Sequence, residues 1–136
     1  MDEVFLPAAI VDELVSHCRS VYPEEGCGLI AFSDSPGLSF RTLPMTNLLH
    51  SPVRYQMDPR EQFDAIKTMR KEGRALWGIY HSHPMSEPYP SPTDVRLAFY
   101  SDCYYLIAGL ASDPPTVRCF TIREGRIEEK RLKSLL

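Results

Sequence analysis

The chain has 136 residues, of which 43% are hydrophobic and 24% are charged. This length suits one folded domain with its own core, and we expect a single domain over residues 1–136. The chain has a formal net charge of −3 at pH 7 and so lacks the excess of basic residues that is typical of nucleic-acid-binding proteins. We therefore expect no nucleic-acid partner. We find neither an apolar run long enough to cross a membrane nor a signal-peptide pattern, and we therefore expect a cytoplasmic protein without membrane contact.

The first half of the chain predicts two helices and two strands. Apolar residues recur at helical spacing over 7–20, and an apolar run at 27–32 predicts a strand that pairs with 38–43 across a turn. A short strand is possible at 53–55. Asp58 and Pro59 predict the start of a second helix, which ends near Gly73 and should turn Phe63, Ile66 and Met69 inward.

The second half predicts a central strand at 75–82, a proline-rich loop and a third helix over 92–101. Further strands are expected at 103–110, 117–122 and 126–132. Strands mixed with helices in this order indicate an α/β sandwich, in which helices flank a mixed β-sheet.

The four cysteines, Cys18, Cys27, Cys103 and Cys119, are widely scattered and include no Cys-x-x-Cys pair. The spacing therefore favours neither a structural zinc site nor a disulfide framework. Cys27 precedes a glycine and is a candidate thiol nucleophile. Its position in an apolar strand instead favours a packed, unreactive thiol.

His81 and His83 lie at the end of the predicted central strand, two residues apart. Because side chains alternate between the faces of a strand, both imidazoles point the same way and can bind one ion. Trp77 and Ile79 share their parity and should face the core. A His-Ser-His tripeptide alone is more often a strand end without metal, so a further ligand must support this interpretation.

Ser91 and Asp94 lie a short loop further on, where Ser-Pro-Thr-Asp predicts the start of a helix. Serine is a good N-cap, proline suits the first helical position, and an acidic residue is favoured in the first turn. Helix initiation alone explains these residues. The same loop also returns a carboxylate towards His81 and His83, and two histidines with one carboxylate are a typical catalytic zinc ligand set.

These motifs resemble those of the JAMM (MPN-plus) zinc metallopeptidase family. The resemblance rests on His-Ser-His-Pro at 81–84 followed by Ser-x-x-Asp at 91–94. Upstream, Pro-Glu-Glu-Gly-Cys-Gly at 23–28 resembles an early segment of the family. Ser-Pro-x-x-Tyr-x-Met-Asp-Pro at 51–59 resembles its short bacterial and archaeal members. The resemblance implies an MPN (cytidine-deaminase-like) sandwich.

The resemblance also implies roles for five residues. Zn²⁺ would be bound by His81, His83 and Asp94, with Glu25 as the acid/base and Ser91 as a donor to the oxyanion. Physical reasoning alone does not choose between Glu25 and its neighbour Glu24, and a Ser-His nucleophile is the rival interpretation of Ser91.

The implied substrate is a small ubiquitin-like or sulfur-carrier protein that ends in Gly-Gly. The enzyme would hydrolyse the amide bond that follows this tail. That bond joins the carrier either to a terminal cysteine, which is then released, or to a lysine side chain. Two alternatives remain open, a metalloamidase that acts on peptide or cell-wall fragments and a non-catalytic MPN interaction module. Asn47 and Tyr80 are weaker candidates for residues that support the site.

Overall fold

A computed structural model describes residues 2–134, and these form seven strands and three helices. Met1, Leu135 and Leu136 lie outside the described residues, as do the ends of the domain predicted over 1–136. The elements in chain order are β1 (Glu3–Phe5), α1 (Ala8–Ser20), β2 (Cys27–Ser33), β3 (Ser39–Met45), α2 (Pro59–Lys71), β4 (Ala75–His83), α3 (Pro92–Arg96), β5 (Tyr104–Gly109), β6 (Thr116–Arg123) and β7 (Arg126–Lys133).

The strands form one mixed sheet in the order β1-β7-β6-β5-β4-β2-β3. The pairs β4–β5 and β1–β7 are parallel, and the other pairs are antiparallel. The predicted α/β class with a mixed sheet and flanking helices is therefore confirmed. Because β4 lies inside the sheet between β2 and β5, its C-terminal end is held on both sides.

Two apolar clusters cover the two faces of the sheet. On one face α1 buries Ile10, Leu14 and Cys18 against a cluster that includes Tyr80. On the other face, the buried side chains of α2 pack with residues of β2 and β4, among them Ile79. The predicted first helix is confirmed, and the sheet is the middle layer of a sandwich.

Two predictions about local packing are wrong. Phe63 is 63% exposed because the buried side of α2 runs through Ala65 and Met69, which are one turn apart. Trp77 packs on the α1 face instead of sharing a face with Ile79. The register of β2 against β4 shifts between Ile30 and Ala31, and this irregularity lies beside Trp77 and interrupts the alternation of side chains.

Two predictions about elements also need correction, and one strand was missed. The third helix spans only Pro92–Arg96, because the chain then turns towards β5. The Tyr100 N–H donates to the hydroxyl of Tyr105, which lies in β5. Residues 53–55 form no strand, and the short strand β1 was not predicted. β1 is too short for its alternation to be recognised, and its pairing with β7 joins opposite ends of the chain.

All four cysteines are buried free thiols. Burial raises the pKa of Cys27 to about 12, which keeps the sulfur protonated and supports the interpretation of a packed thiol. Among residues 2–134, no helix combines the length and the hydropathy needed to cross a bilayer.

Candidate active site

The site lies at the C-terminal end of β4. His81 is paired in register with Cys27 of β2 on one side and with Ile107 of β5 on the other. His81 and His83 are 1% and 4% exposed, so both imidazoles are almost completely removed from solvent. Neighbouring strands therefore fix the backbone from which both rings project.

The start of α3 brings a carboxylate to these histidines. Ser91 is the N-cap of α3, as predicted, and its Oγ accepts a hydrogen bond of 3.0 Å from the Asp94 N–H. Asp94 Oδ2 accepts a hydrogen bond of 2.9 Å from the Ser91 N–H in return. This reciprocal capping box fixes the carboxylate as well as the helix start.

Three side-chain atoms converge at this point. Asp94 Oδ2 lies 3.2 Å from His81 Nε2 and 3.1 Å from His83 Nε2, and the two nitrogens are 3.1 Å apart. Ligand atoms of a tetrahedral zinc site, with bonds of about 2.0–2.1 Å, are separated by about 3.3 Å. The observed triangle therefore has the size of one face of such a site.

The positions of the ring protons on His81 and His83 also favour a bound cation. His83 Nδ1 lies 2.7 Å from the carbonyl oxygen of Glu87 and donates its proton there, which in the neutral ring leaves a lone pair on Nε2. To hydrogen-bond with Asp94 from both rings instead, each Nε2 would need a proton, and these protons would face each other across 3.1 Å. A metal ion at the centre resolves this conflict, and burial lowers the pKa of His81, which favours the neutral ring that metal binding requires.

Glu25 lies just before β2 and is only 3% exposed. Its Oε1 is buried and has no hydrogen-bond partner among the described residues. Burial is the main cause that raises the pKa of Glu25 to about 8, and the charge of Asp94 adds to the rise. Because Cys27 pairs with His81 and the Gly26 N–H donates to Ser82 Oγ, Glu25 lies next to the end of β4 that carries the two histidines.

The backbone of Glu25 is held from both sides. Its N–H donates to the carbonyl oxygen of Ser51 over 2.8 Å, and its carbonyl oxygen accepts from Asn47 Nδ2 over 3.0 Å. Asn47 is 6% exposed and also bonds to the backbone of the segment between β3 and α2. Asn47 therefore holds the backbone of Glu25 in place, and its support of the site stays a prediction.

Ser82 links Glu25 to the strand of the histidines. It is fully buried, its N–H donates to the carbonyl oxygen of Gly26 over 3.0 Å, and its Oγ accepts from the Gly26 N–H over 2.8 Å. A side chain at position 26 has no room, because a Cβ there would lie 2.9 Å from Cys18 Cα. Ser82 therefore ties the residue next to Glu25 to β4.

Sequence reasoning missed two residues of this site. The sequence gives Ser82 no role beyond its place between the histidines, and it places Tyr55 in a possible strand and in the motif at 51–59 without assigning it to the site. The Tyr55 ring stacks on His81, with centroids 4.6 Å apart and an angle of 28° between the planes. Its place in the segment 51–59 that carries the family resemblance was the available signal. Tyr80, in contrast, packs on the α1 face of the sheet, where its hydroxyl bonds to His17 Nδ1.

The model of the family described as prokaryotic homologs of the JAB domain matches residues 7–123 of this chain. The chain belongs to this family. It is 35% identical to the CysO-cysteine peptidase of Mycobacterium tuberculosis over 125 residues, which are 90% of this chain and 85% of that protein. It is 33% identical to a probable TtuB-protein conjugate cleaving protease of Thermus thermophilus over 124 residues, covering 90% and 78% of the two chains.

Solved structures show the same fold. A solution structure from Desulfitobacterium hafniense superposes with a TM-score of 0.82 at 38% identity, covering 97% of this chain and 94% of that one. The crystal structure of a JAB1/MPN domain protein from Archaeoglobus fulgidus gives a TM-score of 0.59 at 18% identity, covering 97% and 98%. The predicted JAMM/MPN family and MPN fold are therefore confirmed.

Proposed function

We propose that this chain is a zinc-dependent peptidase. Its substrate would be a small ubiquitin-like or sulfur-carrier protein, cleaved at the amide bond that follows a C-terminal Gly-Gly. The observation that carries the proposal is the convergence of His81 Nε2, His83 Nε2 and Asp94 Oδ2 within 3.1–3.2 Å of one another. Two imidazoles and one carboxylate leave a coordination position open, as hydrolytic zinc sites require.

The substrate class is supported by the names of the relatives. One is a peptidase named for the CysO-cysteine linkage, and another is a probable protease named for cleaving TtuB-protein conjugates. The first name describes cleavage between CysO and cysteine, and the second describes cleavage between TtuB and a protein joined to it. A Gly-Gly tail suits such a site because it lacks side chains and can lie extended in a narrow groove.

In this proposal, His81, His83 and Asp94 would bind Zn²⁺. The ion would polarise the scissile carbonyl group and activate a water molecule for attack. Glu25 accepts a proton from the attacking water and later delivers it to the leaving amine. A carboxyl group that is removed from solvent, and whose Oε1 has no hydrogen-bond partner among the described residues, is suited to take up and return a proton.

Ser91 stabilises the oxyanion in this scheme. Its Oγ already accepts from the Asp94 N–H, so its own proton is available to the negative oxygen that forms during attack. We favour this role over that of a nucleophile because both histidines of the site, His81 and His83, turn Nε2 towards Asp94 instead.

The direct test uses a Gly-Gly-ended carrier that bears one extra C-terminal cysteine. The carrier is incubated with the zinc-loaded protein or with chelator-treated protein, and the products are followed by mass spectrometry. A parallel incubation uses the same carrier joined through Gly-Gly to a lysine side chain. We expect zinc-dependent loss of cysteine, release of the lysine-linked protein, or both.

The two substrates separate linear from isopeptide activity within the same proposal. Cleavage of neither one by protein shown to contain zinc would contradict the proposed substrate class. Equal cleavage with and without the chelator would contradict the role of the metal.

A further inference from the structure

The two histidines of the site are supported unequally. His83 Nδ1 is bonded to the carbonyl oxygen of Glu87 at 2.7 Å. His81 Nδ1 is buried and has no hydrogen-bond partner among residues 2–134. A metal-binding histidine is normally oriented by a hydrogen bond from its second nitrogen, and no protein group among residues 2–134 provides one to His81.

Tyr55 provides the nearest such support. Its ring lies against His81 with centroids 4.6 Å apart and planes inclined by only 28°. This offset-stacked contact covers one face of the imidazole. A ring stacked in this way resists rotation of its neighbour about the Cβ–Cγ bond, because rotation would lose the contact between the faces.

Tyr55 is itself held firmly enough for this purpose. The peptide groups on either side of it bond to one side chain, since Asn47 Nδ2 donates to the Arg54 carbonyl oxygen over 2.9 Å and Asn47 Oδ1 accepts from the Gln56 N–H over 3.1 Å. The Leu48 N–H also donates to the Gln56 carbonyl oxygen, over 2.9 Å. The Tyr55 side chain packs against the apolar cluster on the α2 face of the sheet.

We propose that Tyr55 is a positioning residue whose ring, stacked on His81, takes the place of the missing hydrogen bond and keeps Nε2 directed at Asp94. The inference rests on the metal ligands of the proposed function. It assigns the effect to the aromatic ring rather than to the hydroxyl group. Loss of the ring therefore weakens metal binding, whereas loss of the hydroxyl alone does not.

The test compares Tyr55→Phe, which keeps the ring, with Tyr55→Leu, which removes it but leaves an apolar side chain. Zinc affinity is measured by competition with a chromophoric chelator, well below the melting temperature of each metal-free protein. Phe63→Leu is the matched control, because it removes an exposed ring from α2. Cobalt-loaded protein provides a second reading, since its visible absorption reports the geometry of the ligands.

We expect Tyr55→Leu to weaken zinc binding by about 10–100-fold, the usual effect of losing a residue that orients a metal ligand, and to alter the cobalt spectrum. Tyr55→Phe and Phe63→Leu should bind zinc like the wild type. If Tyr55→Leu does not fold, Tyr55→Met replaces it as an unbranched apolar variant with the same expected loss.

Two results would overturn this inference and leave the proposed function untouched. One is wild-type zinc affinity in the ring-less variant, and the other is an equal loss in Tyr55→Phe, which would assign the effect to the hydroxyl. A wild-type protein that binds no zinc would reject the proposed metal, and the role of Tyr55 with it. The assay uses no carrier, so its result is separate from any failure to identify the substrate.

Discussion

The two halves of the candidate site are built in different ways. The half that would bind metal comes from one short stretch, in which β4, a loop and the first turn of α3 supply His81, His83 and Asp94. The proposed acid/base half comes from Glu25, whose segment is held by hydrogen bonds to residues far away in sequence. Asn47 is 22 residues from Glu25, and Ser82 is 56 residues from Gly26.

This difference indicates which property each half controls. The local half fixes the distances between ligand atoms through a strand and a capping box, so it should bind metal whether or not Glu25 can ionise. The distant half fixes only where a proton is accepted and released. Changes there should reduce turnover and leave metal binding intact.

The largest expected effect that separates the halves is that of Glu25→Gln. The amide keeps the shape of the side chain but cannot carry the proton, so we expect kcat to fall by about 10²–10⁴-fold. Zinc content should remain that of the wild type. Steady-state cleavage of the cysteine-bearing carrier, with zinc measured in the same preparation, checks both statements. Glu24→Gln is the matched control and should retain activity, because Glu24 pairs with the exposed His50 instead.

A smaller effect is expected from Ser82→Ala, which tests the link between the halves. Loss of the bond from Gly26 to Ser82 Oγ frees the segment that carries Glu25, and we expect kcat to fall by about tenfold, equivalent to about 1.4 kcal/mol. KM and zinc affinity should change little. Ser82→Thr keeps the hydroxyl group and should restore most of the activity. Equal losses in the Ala and Thr variants would point to packing at this fully buried position instead of the hydrogen bond.

The local half of the site could be predicted from the sequence. Strand alternation brings His81 and His83 to one face, and a serine N-cap three residues before Asp94 fixes the carboxylate. Both rules act within a few residues. Glu25 could be chosen over Glu24 only through the family resemblance, because its approach depends on strand register and on Asn47.

Other features of the site and the fold depend on contacts that no local pattern records. The stacking of Tyr55 on His81 requires an irregular segment to fold back over β4. Trp77 packs on the α1 face because the pairing of β2 with β4 is irregular beside it. Phe63 follows a helical apolar pattern but lies beside the stripe that is buried, with Lys67 over its ring. The errors at Trp77 and Phe63 concern what a side chain packs against, and the strand and the helix that carry these residues were both predicted.

The most direct test of this account is zinc content in Asp94→Ala and Glu25→Gln, measured side by side with the wild type by mass spectrometry of the intact native protein. We predict one zinc ion in the wild type and in Glu25→Gln, and none in Asp94→Ala. Glu25→Gln then contains metal but has a kcat lowered by about 10²–10⁴-fold, whereas Asp94→Ala contains no metal. Zinc retained by Asp94→Ala, or lost from Glu25→Gln, would contradict the division of the site into a metal-binding half and a proton-transferring half.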